Sequence, residues 1–191
     1  ISAPLFDDPE KTRLARLVYI ICIALALPAG LFTLISLING RGGSFRSGLA
    51  LVVLSLVLVG INRRGHPRFV GLLLSVGCWI IISIPNLINA GSGIMGNSFS
   101  AYLIPIIIAG FIVNSRLSVL LTIASTVMGF IMLMTELNSP VSVFLPSDII
   151  SRWISQSLIY LVVAILISMA THSIRRALER SQEHELALAQ R

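Results

Sequence analysis

Apolar residues fall into six long blocks, 14–38, 47–61, 69–88, 99–113, 117–134 and 149–170, and the charged residues sit in short clusters between them. A bilayer imposes this pattern, because crossing its ~30 Å hydrocarbon core takes about 20 consecutive apolar residues in a helix. The second and fourth blocks are marginal on this scale, and Arg46 and Asn62 are expected to snorkel from the ends of the second. Lipid offers the backbone no hydrogen-bond partners, so each block must satisfy its own amides as a helix. Charged residues make up only 12% of the chain and hydrophobic ones 55%, where a soluble domain carries about 25% charge. Such a chain cannot cover a core with polar surface. The expected fold is all-α: a polytopic six-helix transmembrane bundle whose last helix extends into a cytoplasmic coiled coil.

Charge placement orients the bundle. With the N-terminus inside, Lys11, Arg13, Arg16, Arg63, Arg64, Arg68, Arg116, Arg175, Arg176, Arg180 and Arg191 fall on the cytoplasmic side, and Arg41, Arg46 and Arg152 fall outside. Eleven against three follows the positive-inside rule, and merging or splitting any span would reverse everything after it. The organisation expected is a cytoplasmic cap over 1–13, a membrane domain over 14–170 and a cytoplasmic helix over 171–191, in the plasma (inner) membrane with both termini inside. The first apolar run is too long for a cleavable signal peptide and lacks a small-residue cleavage site. A start at Ile1 and an end within helical composition read as a piece of a longer polypeptide.

The net charge of +6 does not point to nucleic acid, since no basic block is interleaved with aromatic stacking platforms. No HExxH, GxSxG or P-loop spacing occurs. His66, His172 and His184 lie at the cytoplasmic side rather than facing one another within the bundle, which argues against haem. No catalytic residue, metal ligand or cofactor site is expected. No Asp, Glu, Lys or Arg occupies the middle of a span, where ion-coupled transporters place ionisable groups. Cys22 and Cys78 fall inside apolar runs and read as free thiols acting as small apolar side chains.

The polar residues left in the membrane are uncharged and gather toward the outer half. Asn86, Asn89, Ser92, Asn97, Ser98, Ser100 and Tyr102 surround the turn between the third and fourth spans, with Trp79 and Ser83 deeper. Trp153, Gln156 and Tyr160 are spaced by three and four, hence on one helix face. Pro85 and Pro105 free backbone carbonyls nearby. Two readings stand for Trp79, Asn86, Asn89, Tyr102, Trp153, Gln156 and Tyr160. They form a small-molecule pocket open to the outside or the outer leaflet, or they are interfacial anchors and helix-pairing amides and hydroxyls. The connection over 135–152, with the apolar run 141–145, is either a lid over such a pocket or a segment lying in the interface.

Pro146-Ser147-Asp148 marks the start of the last helix, with Ser147 its expected cap and Asp148 favourable in the first turn. No proline or glycine follows. Past Ala170 the composition turns to charge and alanine, and Ile174, Leu178, Ser181, Glu185 and Leu188 recur at four-three-four-three spacing, a heptad seam with two polar positions. The seam reads as a signal-transmitting, dimerising coil, against a merely solvated tail.

The six-span pattern, the Asn- and Ser-rich turn before Ala101-Tyr102-Leu103-Ile104-Pro105, and Ser168-Met169-Ala170-Thr171-His172-Ser173-Ile174-Arg175-Arg176-Ala177-Leu178-Glu179 leading into a coil resemble the six-helix N-terminal sensor modules of bacterial signalling proteins. Such modules stand ahead of PAS, histidine kinase, diguanylate cyclase or adenylyl cyclase domains. The resemblance covers the whole chain in architecture and implies a small apolar signal as the ligand class, with no ligand residue carried over. The expectation is a sensory and anchoring input module, a homodimer through its last helix. The alternatives are a transporter or channel component, or a passive dimerising anchor.

Overall fold

The computed structural model describes residues 9–38, 42–88, 99–138 and 145–189, with side chains described over 12–38, 45–87, 99–138 and 145–174. Every element among them is helical: α1 (Pro9–Ile38), α2 (Gly42–Asn62), α3 (Pro67–Ile88), α4 (Ser100–Val113, three helical types in succession), α5 (Ser115–Leu137) and α6 (Pro146–Ala189). Five of these, all but α4, are long and apolar enough to cross a membrane. The chain is thus a multi-pass membrane protein by the length and composition of its helices.

Local chemistry sets the helix ends. Pro9 opens α1 at the position where a missing N–H costs nothing. At the end of α2 the amides of Arg64 and Gly65 return to the carbonyls of Ile61 and Asn62 at 2.9 and 3.2 Å. Gly65 takes the left-handed φ of 90° that this turn requires, and Pro67 then starts α3. Asn114, extended at φ −169°, caps α5 by accepting the Arg116 amide on Oδ1 at 3.3 Å. The start of α6 differs from the expectation on Ser147. Pro146 is the first helical residue and the Leu145 carbonyl accepts the amides of Asp148 and Ile149 at 3.0 and 3.3 Å. Proline already fixes the first helical φ, so Ser147 falls inside the first turn rather than at its cap.

The helices run alternately up and down. Asn62 Nδ2 donates to the Ala15 carbonyl at 2.8 Å, and at the far end of the same pair Gly48 packs on Thr33 and the Ala29 carbonyl. One end of the bundle therefore gathers the starts of α1, α3 and α5 with the ends of α2 and α4. Val18, Cys22, Leu58, Val70, Leu74, Cys78, Ile108 and Ile112 form one core there, in which both cysteines are buried and unbridged.

α4 is the irregular member. A 3-10 turn over Ser100–Tyr102 leads into α-helix over Leu103–Ile108 and a π-turn over Ala109–Val113. Pro105 supplies no amide for the usual i−4 bond, in keeping with a tight start. The π-turn closes when the Asn114 amide reaches the Ala109 carbonyl at 3.0 Å. The Ser118 hydroxyl of α5 donates to the Ile106 carbonyl at 3.0 Å near that changeover. At ~1.5 Å per residue α4 is about 21 Å long, shorter than the hydrocarbon core. Yet Gly71 of α3 packs directly on Ile112, and Ser83 of α3 meets Tyr102 at 3.0 Å. α4 therefore begins level with Ser83, short of the end of α3, and returns to the end where α3 started.

Candidate functional site

Most hydroxyls within the spans are satisfied by their own helix. Ser55, Ser75 and Thr122 donate to the carbonyls four residues back, at 2.9, 2.8 and 3.0 Å, and need no partner. Side-chain hydrogen bonds between helices recur at the other end of the bundle, where α3, α4, α5 and α6 meet around Phe99.

α3 contributes Trp79, Ser83 and Asn86 at spacings of four and three, on one face. The Ser83 hydroxyl gives its single proton to the Trp79 carbonyl at 2.8 Å, so the Tyr102 phenol is the donor in its 3.0 Å bond to Ser83. Asn86 lies beside the Tyr102 phenol, and its buried Nδ2 has no hydrogen-bond partner. The Trp79 indole donates to Ser125 Oγ of α5 at 3.0 Å. From α6, the Tyr160 phenol donates to the Phe99 main-chain carbonyl. Gln156, one turn earlier, lies beside that phenol. Trp153, half-buried, donates to the Thr126 carbonyl at 3.3 Å and leans on Phe130, with ring centres 5.7 Å apart.

Phe99 is the hub. It meets Tyr160 edge-on at 5.6 Å and 71°, and Tyr102 at 6.1 Å and 79°, the orientations that aromatic quadrupoles favour. Trp79 lies 6.1 Å beyond Tyr102. Gly129 of α5 gives the Phe99 ring its place, since a Cβ there would collide with that ring and touch Trp153. Phe99, Tyr102 and Tyr160 are at most 1% exposed.

Of the residues proposed from sequence, Trp79, Tyr102, Trp153 and Tyr160 come together in or against one core cluster. Asn86 and Gln156 adjoin it through the two phenols, and Asn89 lies outside the described residues. Beside the cluster, Asp148, Ser151, Arg152, Ser155 and Gln156 line a surface depression of about 640 Å³ on one face of α6. Gln156 belongs to both, being 8% exposed, on the depression and within reach of Tyr160. Sequence reasoning missed the stripe leading to it, although its spacing from Gln156 back to Arg152 and Asp148 is helical. It also missed Phe99 and Gly129, which only the packing of four helices singles out.

Along α6 the backbone is helical through Ala189. Ile174 is 48% exposed. Leu178, Ser181, Glu185 and Leu188 lie on this helix, and their side chains fall outside the described residues. Among the described residues no group of three or more His, Cys, Asp or Glu is placed to hold a metal ion.

Comparison with protein-family models, curated proteins and solved structures finds no match for the chain.

Proposed function

We propose that the chain is a membrane sensory input and anchoring module, a six-helix bundle with both termini cytoplasmic. In this reading α6 passes a ligand- or bilayer-induced change of packing to an output domain beyond residue 191. The observation that carries the proposal is the continuity of α6, 44 residues without a break. At ~1.5 Å per residue this is about 66 Å, roughly twice the hydrocarbon thickness. Its membrane half supplies Gln156 and Tyr160 to the aromatic cluster, and its remainder runs on from the arginine-bearing end. A rotation at one end of an unbroken helix is felt at the other.

The sixth crossing is supported by the path of α4, which brings the chain back from the Tyr102 end to the arginine-bearing end despite its short helix. The orientation is supported by Arg13, Arg16, Arg63, Arg64, Arg68 and Arg116 all standing at that end. The point of entry is Gln156. A small, mostly apolar ligand with a hydrogen-bonding group in the depression would compete with Tyr160 for the Gln156 amide and loosen the tie between α6 and Phe99. It drives signalling only by favouring one packing over the other, since equal affinity for both shifts nothing. Ile174, Leu178, Ser181, Glu185 and Leu188 would then form the seam of a homodimeric coil.

Single cysteines placed along 174–188 in a Cys22→Ala, Cys78→Ala background, oxidised in native membranes, test this. Disulfide cross-linking should peak at the seam positions, shift in phase with Tyr160→Phe, and lose that response in Ala177→Pro while insertion persists. Cross-linking that is absent, or uniform around the helix, overturns the coil. A phase blind to Tyr160→Phe leaves only a passive anchor.

A further inference from the structure

α4 is wound differently at its two ends. The 3-10 turn over Ser100–Tyr102 is tighter than an α-helix and the π-turn over Ala109–Val113 is looser, with regular α-helix over Leu103–Ile108 between them. Three residues of 3-10 helix complete a turn and rise about 6 Å, where an α-helix turns them through about 300° and rises about 4.5 Å. The middle of α4 is therefore advanced by about 60° and about 1.5 Å relative to an all-α course. The π-turn is offset the opposite way, because its i−5 bond puts more residues into each turn and less rise into each residue. The two offsets nearly cancel over 100–113. An all-α winding would leave both ends close to their present places and turn only the middle back.

Both ends are held, and by the same helix. At the first, the Tyr160 phenol donates to the carbonyl of Phe99, the residue before the 3-10 turn. At the second, Ile167 packs on Gly110 inside the π-turn, where a Cβ would collide with it. Tyr160 and Ile167 are seven residues apart, two turns along one face of α6. α3 also holds the π-turn, Gly71 lying against Ile112. Glycine at both crossings brings backbone close without interlocking side chains, so the turn can rewind there while the helices stay in contact. The middle is tied by the Ser118 hydroxyl of α5, which donates to the Ile106 carbonyl at 3.0 Å. π-turns are rare and concentrate at functional sites.

We propose that α4 is a two-state winding switch. In one state its ends are 3-10 and π and its middle is latched to Ser118. In the other, the whole of 100–113 is α-helical and Leu103–Ile108 has turned by about 60°. Releasing Tyr160 from Phe99 favours the second state by freeing the 3-10 turn. Rewinding then reaches Ile167 through Gly110, two turns further along α6. The switch goes beyond the sensory reading and stands whether or not α6 forms a coil, since cross-linking over 174–188 does not report on it.

The test uses the whole chain in lipid vesicles, in a Cys22→Ala, Cys78→Ala background, with single spin-labelled cysteines replacing Leu103, Ile104, Ile106, Ile107 and Ile108. Oxygen collision rates rise on the lipid-facing side and give the helix a phase, with maxima expected near Ile104 and Ile107, 40% and 39% exposed. Ser118→Ala combined with Tyr160→Phe should turn that phase by about 60°, while a parallel scan over 158–165 of α6 keeps its own. An unmoved phase in α4 overturns the proposal, as does a turn that α6 shares, which would be a rigid-body shift. Should the variant fail to insert, hydrogen exchange in the unmodified chain decides. Rewinding opens the amides of 103–113 together, so they should exchange at a common rate at least about tenfold above those of 118–133 in α5. Protection as strong as that of α5, or unrelated rates along α4, overturns the switch.

Discussion

The Tyr160 phenol donates to the main-chain carbonyl of Phe99, joining the middle of α6 to the turn that opens α4. The ring of the same tyrosine packs edge-on against the Phe99 ring at 5.6 Å. One residue of α6 therefore holds both the backbone and the side chain of the hub.

Tyr160→Phe separates these two contributions. The ring pair survives, and the Phe99 carbonyl keeps the 3.3 Å bond from the Tyr102 amide, so the loss is one hydrogen bond within the membrane, about 0.6 kcal/mol and at most ~2 kcal/mol. Tyr160→Leu also removes the aromatic pair, worth a further ~0.5–1.5 kcal/mol. Unfolding in mixed detergent micelles should rank the unmodified chain above Tyr160→Phe and Tyr160→Leu last. Equal losses in the two variants would show that the ring contributes nothing.

Gly129→Ala tests whether the cluster is filled. Alanine in an unconstrained helix interior gains about 1 kcal/mol over glycine. Here the new Cβ meets the Phe99 ring, which is 1% exposed and flanked by Tyr102 and Tyr160. Overpacking of this sort costs about 1–3 kcal/mol, so the net effect should be destabilising. Trp153, which the same Cβ touches, should report the shift as a change in fluorescence in a Trp79→Phe background. A stabilised Gly129→Ala would mean that the rings enclose free space after all.

The Ser83–Tyr102 bond is suited to a double-mutant cycle, because each partner can be trimmed without touching the other's packing. Ser83→Ala leaves the Trp79 carbonyl with its ordinary helical amide, and Tyr102→Phe keeps the ring that packs on Phe99 and Trp79. The coupling energy should be about 0.6 kcal/mol, the average for such pairs in membranes, and below ~2 kcal/mol. A coupling indistinguishable from zero would assign Tyr102 to Asn86 instead.

The membrane helices were legible because hydropathy is a property of segments: the blocks at 14–38, 69–88 and 117–134 lie inside α1, α3 and α5. α2 starts at Gly42, ahead of the expected 47, since a helix need not stop where hydrocarbon does and Arg46 rides on its first turns. Gln156 and Tyr160 could be placed on one helix face from spacing alone. Phe99 could not be picked out, because a phenylalanine at the edge of an apolar block looks like any other until α6 delivers a tyrosine to its carbonyl. Gly129 is equally silent, its role set by a ring thirty positions earlier in the chain. α6 begins ahead of Ser147 because Pro146 already fixes the first helical φ, a constraint that outranks a good capping side chain one residue later.

The path of α4 makes a prediction about sidedness. Gly71 on Ile112 and Ser83 on Tyr102 place α4 antiparallel to α3, so the turn at Asn114–Ser115 must share a side with the Arg63–Arg64 turn. A re-entrant α4 that returned to its own side would put those turns on opposite faces. Single cysteines at Arg64, Ser115 and Leu145, in a Cys22→Ala, Cys78→Ala background, can be probed with a membrane-impermeant maleimide on intact cells and on inverted vesicles. The positions Arg64 and Ser115 should label together from inverted vesicles, and Leu145 from intact cells. Labelling of position 115 from intact cells, with 145 joining 64 in inverted vesicles, would remove the fourth crossing and, with it, the orientation of everything that follows.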